Sequence, residues 1–294
     1  MKKVLGSKLA ITLFCLPGLL LFVIFVLYPL YDVIVYSFQS YDGINPGKFV
    51  GLKNYILLWN MPDFWEANVR SLYLCGLTML VDTVFVSIFA LIIVGLKPFF
   101  QKAYKIAFLL PFVLSISVIS QMWLAIYHPE WGILNSVLEA VGLGQFAQGW
   151  LLNPDIAMIC IGFVGMWWIF GMQMLLIYTG YRSIPENYFE AAQIDGANYF
   201  QSSIKIALPL LTNVIRLSLI MTAVGGLYTF PQVYIMTRGG PGGYTETLMM
   251  YMYKQIFSNL RFGLGSAIAF IAILETCVIL GTITLLTRRE RIQY

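Results

Sequence analysis

The chain alternates long apolar runs with short polar breaks. Six runs stand out, at about 10–36, 71–95, 104–127, 156–181, 208–230 and 263–287. Crossing a bilayer takes roughly 20 apolar residues as a helix, and backbone facing lipid must satisfy its own hydrogen bonds. None of the runs alternates apolar with polar residues as barrel strands do. The pattern predicts an all-α fold: a polytopic membrane helical bundle of six transmembrane helices in a single domain over 1–294.

The breaks carry weaker signals. Outer loops are expected at 37–70, 128–155 and 231–262. The first holds "NMPDFWEANV", read as a short interfacial helix, and the second an amphipathic helix near 133–141. In the third, Gly239–Gly243 reads as a turn, and helical spacing resumes after Thr245. Tyr127, Trp131 and Trp150 suit an aromatic belt at headgroup level.

Composition agrees with a lipid solvent. Of 294 residues, 59% are hydrophobic and 11% charged, against about 25% charged in soluble domains. The net charge of +4 is distributed unevenly. Lys2, Lys3, Lys8, Lys97, Lys102, Lys105, Arg182, Lys205, Arg288, Arg289 and Arg291 fall on one side. Lys48, Lys53, Arg238, Lys254 and Arg261 fall on the other. The richer side is cytoplasmic by the positive-inside rule, which predicts a multi-pass cell-membrane protein with both termini inside. No basic stripe is interleaved with aromatics, so no nucleic-acid partner is expected.

The first run, Leu9 to Leu30, exceeds the roughly 7–15 apolar residues of a signal peptide and precedes no small-residue cleavage pattern. Phe14 before Cys15 does not suit lipoprotein processing. An uncleaved first span is expected. Cys15, Cys75, Cys160 and Cys277 lie in apolar runs without C-x-x-C spacing, so they read as small hydrophobes and not as a metal or disulfide framework.

Chemistry is sparse. "GINPGKF", Gly43 to Phe49, is one residue short of a phosphate loop and has Phe49 where the Mg²⁺-binding hydroxyl belongs. His128, beside Pro129, reads as a polar cap on a loop. No catalytic constellation appears and no metal site is expected. Asp82, Arg216 and Glu275 enter apolar runs, where charge is costly and marks either function or pairing.

The densest polar stretch lies between spans four and five, at 182–207. It reads "IPENYFEAAQIDGA" and then "NYFQSSIKIAL". Pro185 suits a first helical turn. Tyr188, Phe189, Ala191 and Ala192 give an apolar face, with Glu186, Glu190 and Asp195 on the wet side, and Gly196 permits a sharp bend. Two short helices on the inner membrane surface follow.

Here a family resemblance becomes specific. Glu190-Ala191-Ala192, Asp195-Gly196-Ala197, Ile206 and Leu208-Pro209 resemble the E-A-A…G…I-L-P signature of importer-type ABC transporter permeases. "TRGGPGGYTETL", Thr237 to Leu248, and "FVGLKNY", Phe49 to Tyr55, resemble outer loops of the carbohydrate-uptake, MalF-like branch. Asn213 departs from the pattern, where relatives often carry a second proline. The resemblance covers nearly the whole chain and implies a type I importer fold.

It also implies partners: a second homologous permease, two copies of a cytoplasmic ATPase, an extracellular or periplasmic solute-binding protein, a sugar substrate and membrane lipid. ATP and Mg²⁺ would sit on the ATPase, leaving no cofactor in this chain. The resemblance assigns ATPase coupling to Glu190, Ala191, Ala192, Asp195, Gly196, Ala197, Ile206, Leu208 and Pro209. It assigns substrate lining to Trp168, Phe170, Met172, Thr222, Gly225, Gly226 and Thr229. Gly225 and Gly226 suggest a roomy cavity for an oligosaccharide, or else a close approach of two helices. Two other functions remain open: an ion-coupled carrier built on Asp82 and Glu275, and a glycerol-phosphate importer of the same family.

Overall fold

The computed structural model describes residues 8–287, apart from the side chains of Lys8, Leu9, Ala10 and Asp82. Lys2, Lys3, Arg288, Arg289 and Arg291, used above for orientation, lie outside the described residues. The helices in chain order are α1 Lys8–Phe22, α2 Tyr28–Ser37, α3 Lys53–Trp59, α4 Pro62–Val94, α5 Pro98–Val113, α6 Ile116–Ile126, α7 Ile133–Ala140, α8 Pro154–Arg182, α9 Asn187–Ile194, α10 Tyr199–Ser202, α11 Leu208–Leu210, α12 Thr212–Leu227, α13 Pro231–Met236, α14 Leu248–Tyr253 and α15 Phe262–Leu286. Short π-helical turns occupy Val23–Leu27, Ser203–Ala207 and Lys254–Ser258. The described sheet is one antiparallel pair, β1 Gln39–Ser40 with β2 Lys48–Phe49.

The expected helical membrane fold is present. Among the described residues, Ile11–Ser37, Pro62–Val94, Pro154–Arg182, Thr212–Met236 and Phe262–Leu286 are each long and apolar enough to cross a bilayer. The third expected span, 104–127, is not one rod. It is α5 and α6, bent by 98°. Pro111 lies inside the last turn of α5, where it removes a helical donor and crowds the preceding turn. Ser115 then caps the next helix, its Oγ accepting from the Val118 amide at 3.3 Å.

Two other boundaries move. The "NMPDFWEANV" stretch is no separate interfacial helix but the first turns of α4, which begins at Pro62 instead of near 71. Phe64, Ala67, Asn68 and Ser71 are buried at the spacing of one helix face, while Glu66 and Arg70 pair at 2.6 Å. The fifth span, expected over 208–230, is interrupted at Leu211, runs through α12, and resumes as α13 after Phe230. The helices expected near 133–141 and after Thr245 correspond to α7 and α14.

The described residues divide into two compact units, 8–62 with 252–274, and 63–251 with 275–287. In the first, Asn54 fastens the chain after α2 by donating to the carbonyls of Ser37 at 2.8 Å and Gln39 at 2.9 Å. Tyr55 donates to the Ser37 hydroxyl at 2.7 Å. Apolar side chains of α1 and of the π-helical turn after it, such as Phe14 and Phe25, are exposed, as a lipid-facing helix requires.

The second unit is built around α8. Asn153 caps its start by accepting from the Asp155 amide at 3.0 Å, with Pro154 in the first turn and Asp155 favoured there by the helix dipole. Glycines along α8 face different neighbours. A methyl at Gly162 would meet Leu74 of α4, one at Gly171 would collide with the Phe108 carbonyl of α5, and one at Gly180 would press on Leu211 and Val214. Lipid offers no hydrophobic drive for helix association, so such close packing and interhelical hydrogen bonds hold the bundle.

Candidate functional site

Four elements of the second unit enclose a cavity of about 70 Å³. Leu74 and Thr78 come from α4. Ile161, Gly162, Gly165, Met166, Trp168 and Ile169 come from α8, and Thr222, Gly225 and Gly226 from α12. Thr229 and Gln232 complete it. None of these residues is charged. The volume suffices for a few water molecules, each needing at least about 10–15 Å³, and is too small to enclose a sugar ring in this conformation.

Hydrogen bonds fix the lining. The Trp168 indole Nε1 donates to the Leu114 carbonyl at 2.9 Å, using an acceptor that the α5–α6 break exposes. Thr78 donates to the Leu74 carbonyl at 2.8 Å, Thr229 to that of Gly225 at 2.9 Å and Thr222 to that of Ser218 at 3.0 Å. Behind the wall, Gln173 joins α8 to α12: its Nε2 donates to Thr222 Oγ1 at 2.7 Å, and its Oε1 accepts from the Ser218 hydroxyl. Gln232 is different. Its Oε1 is buried with no hydrogen-bond partner, a condition that costs about 1–3 kcal/mol.

The two glycines do different things. Nothing lies within 4 Å of a methyl built at Gly225, but one at Gly226 would stand 2.7 Å from the Cys75 Cα. The expectation of a roomy cavity at both is therefore corrected. At Gly226 the missing side chain is filled by α4, and only Gly225 faces open space.

The stretch 182–207 forms a second, anchored feature. Gly196 adopts φ +84°, and the Ala197 amide reaches back to the Ala192 carbonyl at 2.9 Å, a glycine-terminated helix end. Asn198 and Gln201 then cap α10 reciprocally, at 2.9 Å in both directions. Tyr199 donates to the Leu91 carbonyl of α4 at 2.5 Å. Burial pushes its hydroxyl above the usual range, so it stays a donor. Phe189 stacks on Tyr181 of α8 with ring centroids 5.2 Å apart. Nearby, Gln101 accepts from Tyr178 at 2.8 Å and Arg182 at 3.1 Å, and donates to the carbonyls of Val94 and Leu96.

One face of this stretch stays free. Glu190, Ala191, Gln193, Ile194 and Asp195 are exposed, with Ile194 at 87%. The expected apolar face is corrected here: Ala192 is buried and Phe189 half-buried, but Ala191 points with the acidic residues. Ile206, Leu208 and Pro209 are half-buried in the return to α12.

Comparison with known proteins decides the family. The chain is 35% identical to a probable ABC transporter permease of Pyrococcus horikoshii, covering 92% of each. It is 31% identical to the arabinooligosaccharide transport permease AraP of Bacillus subtilis, over 93% of this chain and 87% of the relative. It is 30% identical to the sn-glycerol-3-phosphate transport permease UgpA of Escherichia coli, over 91% and 89%. The chain belongs to the ABC transporter permease family.

No family model matches the sequence of this permease. Its fold is similar to that of a chain in a bacterial alginate ABC transporter crystallised with an alginate pentasaccharide-bound periplasmic protein. The TM-score is 0.85, with 22% identity, covering 98% of the permease and 96% of that chain.

Of the residues singled out in the permease sequence, Trp168, Thr222, Gly225, Gly226 and Thr229 meet at the cavity. Phe170 does not; it packs edge-on to Phe89, 5.5 Å away, and against Phe108 at 5.3 Å. Met172 is not in the lining either. Sequence reading missed Thr78, Gln173 and Gln232, because isolated polar residues in an apolar run give no periodic signal. The intramembrane charges are engaged locally. Arg216 donates to Asn213 at 2.9 Å, and Glu275 accepts from Asn68. The Asp82 side chain lies outside the described residues.

The remaining readings resolve simply. His128 Nδ1 accepts from the amides of Glu130 at 3.3 Å and Trp131 at 3.4 Å, a loop cap. Cys75 and Cys160 are buried, whereas Cys15 and Cys277 are exposed. Of the three aromatics read as a belt, Trp131 is exposed and stacks on His128 with ring centroids 3.9 Å apart. Tyr127 and Trp150 pack instead into the cluster around Ile161.

Proposed function

We propose that this permease moves a neutral sugar or oligosaccharide across a cell membrane by alternating access, driven from a separate ATPase through the stretch 182–207. The observation that carries this reading is the chemistry of the cavity: an indole, three threonines and a glutamine, with no charged side chain. Sugars present apolar C–H faces to aromatic rings and hydroxyls to neutral hydrogen-bonding groups, whereas a phosphate needs cationic partners. Arg216, the candidate cation for a glycerol phosphate, is not in the lining and is bonded to Asn213. The kinship to AraP supports the sugar reading; the kinship to UgpA is the reason to test it.

Trp168, Thr222, Gly225 and Thr229 would then contact the cargo, with Gly226 admitting the close approach of α4. Glu190, Ala191, Asp195 and Gly196 would face the ATPase, with ATP and Mg²⁺ held there and no cofactor in this chain. The anchors from Tyr199 to α4 and from Phe189 to α8 supply a stiff path from that face to the helices around the cavity. ATP binding would shift a two-state equilibrium between inward-open and outward-open forms through differential contacts. A binding protein would deliver sugar on the far side, a second permease would complete the pathway, and both termini would be cytoplasmic.

The test is uptake by proteoliposomes holding the assembled transporter. ATP-dependent accumulation of a neutral oligosaccharide, insensitive to an uncoupler and not competed by sn-glycerol 3-phosphate, is expected. Uptake by this chain alone that collapses with the uncoupler would establish the ion-coupled carrier instead.

A further inference from the structure

Gln232 stands in α13, follows Pro231, and is 8% exposed. It lines the cavity opposite Gly165, where a methyl would come 3.4 Å from its Nε2. Its Oε1 has no hydrogen-bond partner.

Other buried glutamines make the contrast. Gln101 and Gln173 each use both ends of the amide, and Gln255 accepts from Asn259 at 3.1 Å. A glutamine kept for packing would be matched as these are, since an unmatched amide in an apolar wall is unfavourable. The cavity's threonines cannot supply its partner as donors. The protons of Thr78, Thr222 and Thr229 are committed to helix carbonyls and the Thr222 oxygen already accepts from Gln173, so Thr78 and Thr229 offer lone pairs alone. The Gln232 amide has both an N–H₂ and a free acceptor, the complement of a hydroxyl that donates and accepts.

We propose that Gln232 is a specificity-determining residue of this permease, its amide pairing with a hydroxyl of the sugar as it passes. The assignment rests on the sugar-transport reading above. It divides the lining into an acceptor-only wall of threonines and one bifunctional group, so that a cargo lacking the matching hydroxyl leaves the amide unpaired and is rejected.

The test uses the assembled transporter in proteoliposomes with tritiated maltotriose, arabinotriose and cellotriose, together with labelled sn-glycerol 3-phosphate. Wild-type uptake of a trisaccharide and not of the phosphate ester tests the sugar reading. The ratio of wild type to variant tests Gln232. Gln232→Leu is expected to raise KM for the transported sugar about 5- to 30-fold, as loss of a buried hydrogen-bond pair implies. Deoxy derivatives of that sugar should include one that wild type and variant transport equally. Equal KM for the parent sugar in wild type and variant overturns the assignment. If Gln232→Leu fails to assemble, Gln232→Asn carries the same comparison, and an unchanged KM there overturns it equally.

Discussion

The Tyr199 hydroxyl donates to the Leu91 carbonyl at 2.5 Å, joining the polar stretch after α8 to the last turns of α4. Leu91 belongs to the helix that also carries Thr78 into the cavity wall. The loop and one wall of the cavity therefore share the helix α4.

Tyr199→Phe removes that bond and keeps the ring. The stability loss expected is about 0.5–1.5 kcal/mol, with uptake per ATP hydrolysed falling several-fold. Parallel uptake and ATPase assays on one preparation check this; an unchanged ratio means the bond transmits nothing.

The two adjacent glycines of α12 should respond oppositely. Gly226→Val drives its side chain into the α4 backbone at Cys75, an overpacking cost of about 1–3 kcal/mol. Gly225→Ala meets open space and should hold or raise stability, since alanine favours a helix over glycine by up to about 1 kcal/mol. Thermal unfolding in detergent separates the two, and equal loss in both would contradict the assigned contacts.

Asp42 shows how a surface turn depends on pH. Its carboxylate accepts from the Ile44 amide at 3.0 Å, the Asn45 side chain at 2.7 Å and the Asn45 amide at 2.8 Å. These contacts, Ile44 foremost, lower its pKa from 3.8 to about 2. A depressed carboxylate stabilises above its unfolded pKa and loses that contribution as pH falls through the folded one. The turn should keep its order down to about pH 3.8 and lose it toward about pH 2. A carbon-13 titration of labelled aspartate reads the midpoint; a value at or above 3.8 removes the hydrogen-bonded turn.

Much of this architecture was legible in the sequence because bilayer thickness writes itself as run length. The ends of α8 and α15 fall close to their hydropathy edges for that reason. Hydropathy is blind to direction, however, so the bend after Val113 was invisible in the run 104–127 although Pro111 and Ser115 mark it. It is also blind to amphipathic extensions, which is why α4 reaches to Pro62. At the cavity, types that pair an aromatic with glycines drew attention to Trp168 and Gly225. Gln173 and Gln232 stayed hidden, since a single amide matters only through what it meets or fails to meet. Phe170 was misleading because an aromatic two residues from Trp168 on a helix faces elsewhere.

The central claim is that the exposed face of α9 seats on the ATPase. Ile194, 87% exposed, is the point to test, with Leu152, exposed before the opposite end of α8, as the control. A short bismaleimide applied to the co-expressed complex should join Ile194→Cys to the ATPase subunit and leave Leu152→Cys unjoined to it. A complex that hydrolyses ATP yet gives no such product from Ile194→Cys would contradict the account.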